Sequence, residues 1–266
     1  SICEPTLLGN NGVVQTPTMI FKMASVDMPA FLNFDPAAMD RMIKEADTAG
    51  HYRLPRHHVY LFPLPNAGEV LCNMTRITYP DGRIPLGICS KDLTFAEMEG
   101  RRQAREYARF LIDQIPAFKA AYLVDTGVQI GIRQTRSIIG KGTLMNADVL
   151  HGRKSAGAIT RSAWPIESHG LDGVDIRYLL DDYYDIPFEV LIPQNAVNLL
   201  VAGRCISAEH DALASARVTA QCFGMGYAAG AACGLLIKEN IPAYELDGKM
   251  VVDWMKVNTL KNGNEK

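Results

Sequence analysis

The sequence predicts an α/β fold in the broad sense, an α+β mixture of helices and short strands, and three observations carry that prediction. Residues 35–50 and 94–115 repeat apolar side chains at helical spacing. Residues 59–63 and 69–78 read as paired strands around the turn Pro65-Asn66-Ala67-Gly68. Asn198 to Leu236 reads as a strand (Leu199, Leu200, Val201), a turn at Ala202-Gly203-Arg204, a polar loop with His210, and a long helix of small residues.

At 266 residues the chain has material for one large domain or two small ones. A formal net charge of −2 gives no electrostatic reason to expect nucleic acid or an anionic membrane as partner. The cysteines at 3, 72, 89, 205, 222 and 233 form no C-x-x-C pair and no paired His/Cys spacing, so neither zinc nor any other metal is expected. Buried free thiols in a reducing, cytoplasmic compartment are the expectation. The start, Ser1-Ile2-Cys3-Glu4, has no initiator Met, no basic n-region and no long apolar h-region. We therefore expect a processed chain or a piece of a longer one.

Residues 1–18, rich in Gly, Asn, Pro and Thr, read as loop. Met19 to Met23 forms a short strand leading to Val26-Asp27. Asp35-Pro36 opens a helix, with a carboxylate N-cap and Pro at the first turn. Met39, Met42, Ile43 and Ala46 make its apolar stripe, and Gly50 stops it. His57 and His58 are adjacent, so on a strand they point to opposite faces and cannot form a one-sided metal pair. Thr94 and Glu97 make a capping box for the next helix. Its Arg101, Arg102, Arg105 and Arg109 form a solvated face, with Glu97 placed to pair with Arg101. Gln129 to Arg136 reads as a strand, Asn146 to His151 as a turn or two of helix capped by Asn146, and Ala158 to Ile166 as another strand. His169 follows in a loop. Asp247 caps a last helix through Val257, and the tail from Lys261 is expected to be mobile.

The long helix carries Gly224, Gly226, Gly230 and Gly234, although each interior Gly costs about 1 kcal/mol relative to Ala. Two gains can offset that. The helix can cross other backbone closely, with small residues on every face because it is buried all round. Its N-terminus, near Ser215 to Thr219, can also point at an anionic ligand. The apolar run from Phe223 to Ile237 is shorter than the about 20 residues that span a bilayer, so no membrane is expected.

The segments Ala202-Gly203-Arg204, Ile206-Ser207-Ala208-Glu209-His210, Ser215-Ala216-Arg217-Val218 and Gly226-Tyr227-Ala228-Ala229-Gly230 resemble, in order and spacing, the C-terminal flavin-binding segment of FAD-dependent oxidoreductases related to fumarate reductase and succinate dehydrogenase flavoproteins. Asn73-Met74-Thr75-Arg76 and Ile130-Gly131-Ile132-Arg133-Gln134-Thr135-Arg136 resemble further segments of that family, with Gln134 where an acid is usual. The resemblance implies the C-terminal part of an FAD/NAD(P)-binding flavoprotein fold. Residues 1–195 would be mainly a β-rich substrate or cap region, and 196–266 the C-terminal strand and helix of the FAD-binding domain.

Such enzymes hold adenosine on a Gly-x-Gly-x-x-Gly turn between strand and helix. No such motif occurs here, since Gly224-Met225-Gly226 lies within a helix and is followed by Ala229. The chain is therefore expected to be the C-terminal portion or a subunit of the enzyme. Its partner would be the missing N-terminal FAD-binding region or a separate chain, and alone it would bind FAD weakly or not at all. In the complete enzyme the resemblance implies hydride transfer between flavin and a small organic substrate. It places Gly203, Arg204, Ser215, Arg217, Val218 and Thr219 against the cofactor. Arg217 would hold a substrate carboxylate or flavin charge, with His210 and His169 for proton transfer or substrate hydrogen bonding. The other function class weighed is a non-catalytic binding or assembly module derived from a flavoprotein fold. A hydrolase has no support, because no Gly-x-Ser-x-Gly elbow is present.

Overall fold

A computed structural model describes residues 3–5, 14–170, 173–179 and 182–263. In chain order the elements are β1 (Cys3–Pro5), β2 (Phe21–Ala24), α1 (Met28–Leu32), α2 (Pro36–Thr48), β3 (Tyr60–Pro63), β4 (Val70–Asn73), α3 (Ser90–Gln114), β5 (Tyr122–Thr126), β6 (Arg136–Ile138), α4 (Asn146–Leu150), β7 (Ala158–Ser162), β8 (Ile166–Gly170), β9 (Gly173–Arg177), β10 (Tyr184–Pro187), α5 (His210–Ala216), α6 (Thr219–Glu239) and α7 (Gly248–Gly263). This mixture of helices and antiparallel sheets is the predicted class. The chain divides into two compact units, one of Ser1–Val14, Gln134–Gly170 and Val174–Lys266, the other of Gln15–Arg133 with Leu171–Gly173. The segment from 196 onward thus groups with 134–170 and 174–195, away from the boundary read from the sequence.

In the unit of Gln15–Arg133, an antiparallel sheet of order β3-β4-β2-β5 is covered by helices. Phe21 pairs with Cys72 and Tyr60 with Asn73 across it. The alternation along β2 and β4 turns Phe21, Met23, Val70 and Cys72 into a core shared with Met39 and Ile43 of α2 and Tyr107, Phe110 and Leu111 of α3. Helix α2 forms as expected. The Asp35 carboxylate accepts from the N–H groups of Ala37 and Ala38 at 2.9 and 3.1 Å, and Gly50 ends the segment at φ +73°.

Helix α3 starts earlier than the sequence suggested, and the Thr94/Glu97 capping box does not form. The buried Asp92 carboxylate accepts from Tyr79 Oη and the Leu86 N–H, both at 2.8 Å, which ties an earlier first turn to the preceding loop. Thr94 therefore sits inside the helix and donates to Ser90 O at 2.9 Å. Glu97 accepts from the Ile130 N–H at 2.6 Å and pairs with Arg101.

Gln129 to Arg136 is not one strand. Thr18 and Gly131 exchange backbone hydrogen bonds of 3.0 and 2.7 Å, and β6 begins only at Arg136. A Cβ at Gly131 would lie 3.0 Å from Thr18 O, so a larger residue there would have to push the Thr18 backbone back by a few tenths of an ångström. Buried Arg133 donates through Nη1 to Thr16 O at 2.6 Å, while Arg136 is exposed. The first and last residues of this unit are thereby fastened side by side.

In the other unit, β7 pairs with β10, β8 with β9 and β1 with β6. Tyr184, Phe188, Leu191, Ile206, Leu213, Met225 and Ala228 form its core. The strand expected over 158–166 is split because Pro165 has no N–H and the Trp164 N–H turns to Ser162 Oγ at 3.1 Å. Residues 199–201 form no strand. Val201 N–H donates to Leu191 O at 3.0 Å, inside a short 3₁₀ turn, and no ladder follows.

Helix α6 is not buried all round. Phe223, Gly226, Tyr227, Gly230, Cys233, Gly234 and Ile237, which share one face at i, i+3, i+4, i+7 spacing, are all exposed. Phe223 is 74 % and Ile237 82 % exposed. The opposite face, with Gln221, Met225, Ala228, Ala232 and Leu235, is buried. Close approach holds at Gly224 alone among the four glycines. A Cβ there would meet Thr160 Oγ1 at 2.5 Å, whereas nothing lies within 4 Å of a Cβ at Gly226 or Gly230. Among the described residues α6 is the one helix long and apolar enough to cross a membrane, so the shorter apolar run was not a valid argument from length.

Asp247 caps α7 through the Met250 N–H at 2.8 Å. The α7 backbone continues to Gly263, past the expected end at Val257, and the rest of the expected tail, 264–266, lies outside the described residues. So do residues 6–13 of the expected N-terminal loop, which β1 interrupts. Cys72, Cys89, Cys205, Cys222 and Cys233 are free; Cys72 is buried while Cys205 and Cys233 are exposed, so the expectation of buried thiols fails at those two.

Candidate functional site

The site residues proposed from the sequence lie on or between β8, α5 and α6 and on the turn Gly203–Cys205, all in one compact unit. Helix α5 starts at His210 because a distant side chain satisfies its first turn. Asn146 Oδ1 accepts from the Ala212 N–H at 2.8 Å. Asn146 therefore caps α5 rather than α4, where the Asp148 carboxylate accepts from the Met145 N–H at 3.0 Å.

His210 is thus not a loop residue. It is the first residue of a helix and only 4 % exposed. Its Nε2 lies 3.5 Å from Ser168 Oγ, and among the described residues its Nδ1 has no hydrogen-bond partner. Burial lowers its pKa, the nearby Asp211 charge opposes that shift, and Arg217 adds to it. The ring is neutral at pH 7. Asp211 is itself paired with Arg177 of β9.

His169 also differs from the loop expectation, for it lies in β8 and is 2 % exposed. Its Nε2 is 2.9 Å from Glu167 Oε1, two residues away on the same face of the strand. Ser168, between them, faces the other way toward His210. The alternation of β8 therefore gives the two histidines different partners instead of joining them as a pair.

Arg217 ends α5, where its backbone N–H donates to Leu213 O at 3.1 Å. Burial pushes its guanidinium down to about 10; the Glu167 carboxylate opposes that shift and the Arg204 charge adds to it. It stays protonated at neutral pH, as a cation short of solvent. One residue on, Val218 is the N-cap of α6 in extended conformation and offers no side-chain cap, and Thr219 and Ala220 are exposed. The first turn of a 21-residue helix therefore presents its N–H groups without a capping side chain. Gly203, at φ +79°, makes the turn that packs on this end of α6, with Cys222 Sγ 3.5 Å from where its Cβ would be. Arg204 stands exposed on that turn.

Ser215 is placed differently. It is fully buried, donates to Trp164 O at 2.6 Å and accepts from Tyr184 Oη at 2.7 Å. Its hydroxyl holds α5 to the β7–β8 connection.

Glu167, Ser168 and Asn146 were missed in the sequence. The spacing of Glu167 and His169 on one strand face was a usable signal, whereas nothing local points from Asn146 to Ala212.

Two guanidinium groups and an uncapped helix N-terminus make a place for an anionic group, with one carboxylate, Glu167, balancing it. A neutral imidazole with an unsatisfied buried nitrogen adds a group able to hold or pass a proton. These residues fit the anionic and polar parts of a nucleotide cofactor. The family model described as FAD dependent oxidoreductase matches residues 5–255, which takes in every residue of this site. No curated protein and no solved structure matches the chain.

Proposed function

Because the chain belongs to the FAD-dependent oxidoreductase family, whose complete enzymes use FAD, we propose that it is the C-terminal portion or a subunit of an enzyme that moves hydride between flavin and a small organic substrate. The observation that carries this reading is the conjunction of Arg217, short of solvent, with the uncapped start of α6 one residue later.

Gly203, Arg204, Val218 and Thr219 would hold the cofactor, with Ser215 fixing the end of α5 beneath them. When bound, flavin supplies the redox chemistry, accepting or giving a hydride. The protein supplies charge and protons. Arg217 forks onto a carboxylate of the substrate or balances negative charge on the cofactor, and burial strengthens either interaction. His210, neutral and held by Ser168, takes or gives a proton at Nδ1. His169, paired with Glu167, orients that carboxylate opposite Arg217.

The partner in this reading is the nucleotide-binding half of the fold. Within the 266 residues no Gly-x-Gly-x-x-Gly turn occurs. The exposed face of α6 supports the same conclusion, because Gly226 and Gly230 leave it flat beside Phe223 and Tyr227, a surface shaped for close backbone approach.

Intact mass and absorbance of the isolated protein, followed by titration with FAD, test the reading. Weak or absent FAD binding by the chain alone is expected, and tight binding would refute the partial-enzyme reading. In the assembled enzyme Arg217→Ala should lower turnover by about 100-fold, the scale seen when one charge-stabilising group is removed. Unchanged turnover would take Arg217 out of the site.

A further inference from the structure

We propose that Cys205 and Cys222 form a redox pair, closed to a disulfide by exchange with a glutathione-type disulfide and reopened by thiols. The turn Gly203–Cys205 packs on the start of α6, and the two thiols come from the two sides of that contact. Cys222 Sγ lies 3.5 Å from where a Cβ on Gly203 would stand, so no side chain of residue 203 separates it from the turn. Cys205 Sγ donates to the Ala202 carbonyl oxygen at 3.5 Å. Both sulfurs therefore stand beside the one peptide that joins Ala202 to Gly203. Cys222 Sγ also donates to Arg217 O at 3.4 Å. A thiol is a weak donor, so closing the bond gives up two weak S–H···O contacts and no backbone pairing.

The surroundings favour exchange. Burial pushes the Cys222 thiol up, the Arg217 charge opposes that shift, the Cys205 charge adds to it and the Arg204 charge opposes it. Each sulfur thus lies within electrical reach of the other and of two guanidinium groups, the setting in which a thiolate is held as a nucleophile. Exposed Cys205 meets the oxidant first. Its thiolate attacks one sulfur of the glutathione disulfide and expels one glutathione thiolate, which leaves a mixed disulfide. The thiolate of half-buried Cys222 then attacks Cys205 Sγ and expels the second glutathione. Two electrons pass from the protein sulfurs to the glutathione disulfide, and the two thiol protons end on the released glutathiones.

Cys233 is the internal contrast. It is exposed on the same helix, but three turns beyond Cys222, about 16 Å along the axis, it is out of reach of either partner. The Cys205–Cys222 bond would tie the turn that carries Arg204 to the start of α6, and so make the opening for an anionic group depend on thiol state. That consequence rests on the function proposed above, whereas the bond itself does not.

The test incubates the reduced, folded full chain with glutathione disulfide, then maps its peptides by mass spectrometry. A Cys205–Cys222 cross-link with the loss of two hydrogens is expected, while Cys233 keeps a glutathione. Cys222→Ser should leave a stable glutathione adduct at Cys205, and Cys205→Ser should leave Cys222 a free thiol. A wild-type chain that keeps glutathione on Cys205 with Cys222 free overturns the proposal, as does a bond from Cys205 to any other cysteine. The wild-type map decides the matter even if a serine variant fails to fold, and it needs no flavin, so its outcome is separate from that of the FAD titration.

Discussion

Substituting three glycines of α6 one at a time by alanine should give effects of opposite sign. An interior helical Gly→Ala change removes backbone entropy from the unfolded chain and is worth about 0.5–1 kcal/mol. At Gly226 and Gly230 nothing lies within 4 Å of the added methyl, so the full gain should appear as a rise in melting temperature of about 2 °C each. At Gly224 the methyl would lie 2.5 Å from Thr160 Oγ1 and 2.7 Å from Thr160 Cβ. The Cβ is fixed to the β7 backbone and cannot rotate away. Overpacking of this kind costs about 1–3 kcal/mol, which exceeds the propensity gain, so Gly224→Ala should lower the melting temperature. Thermal unfolding by circular dichroism measures all three. Equal shifts at 224, 226 and 230 would refute the assignment of the close approach to Gly224. In the assembled enzyme the first two substitutions should weaken association even as they stabilise the separate chain, because they raise the flat part of the exposed face.

The folded pKa of His210 is depressed, so the unfolded chain takes up that proton first as the pH falls. Its share of stability is complete above the unfolded value of about 6.5 and is lost as the pH drops from there through the folded value. His210→Gln should therefore flatten the decline of melting temperature between about pH 7 and pH 5, and an unaltered slope would show that His210 is not buried neutral. Asn146→Ala should cost about 1 kcal/mol in chemical denaturation, the usual worth of an N-terminal cap, since it frees the Ala212 N–H of α5. An unmoved midpoint would mean that α5 does not depend on it.

What could be read from the sequence was what short-range chemistry decides. Helix α2 has its carboxylate cap, its proline and its glycine stop within a few residues of one another, and it formed where they said. The start of α6, read near Val218, likewise lies where the local run of residues put it. What failed depended on distant partners. The early start of α3 rests on Asp92 reaching Tyr79 and Leu86, and the helical state of His210 rests on an asparagine 66 residues away from the N–H it caps. The polar run before His210 looks like a loop because the group that organises it is out of sight. The character of α6 failed for another reason. Composition reports that a helix is apolar, and does not report whether the surface that would cover its second face belongs to the same polypeptide.

The fastening at Thr16, Thr18, Gly131 and Arg133 bears on how this protein is put together. A segment of more than a hundred residues leaves and rejoins the chain at neighbouring points. Such a segment behaves as an insertion. Its length can change over generations while its two ends stay paired. Expressed alone as residues 15–133, it already has both termini closed by backbone pairing and needs no added linker to meet.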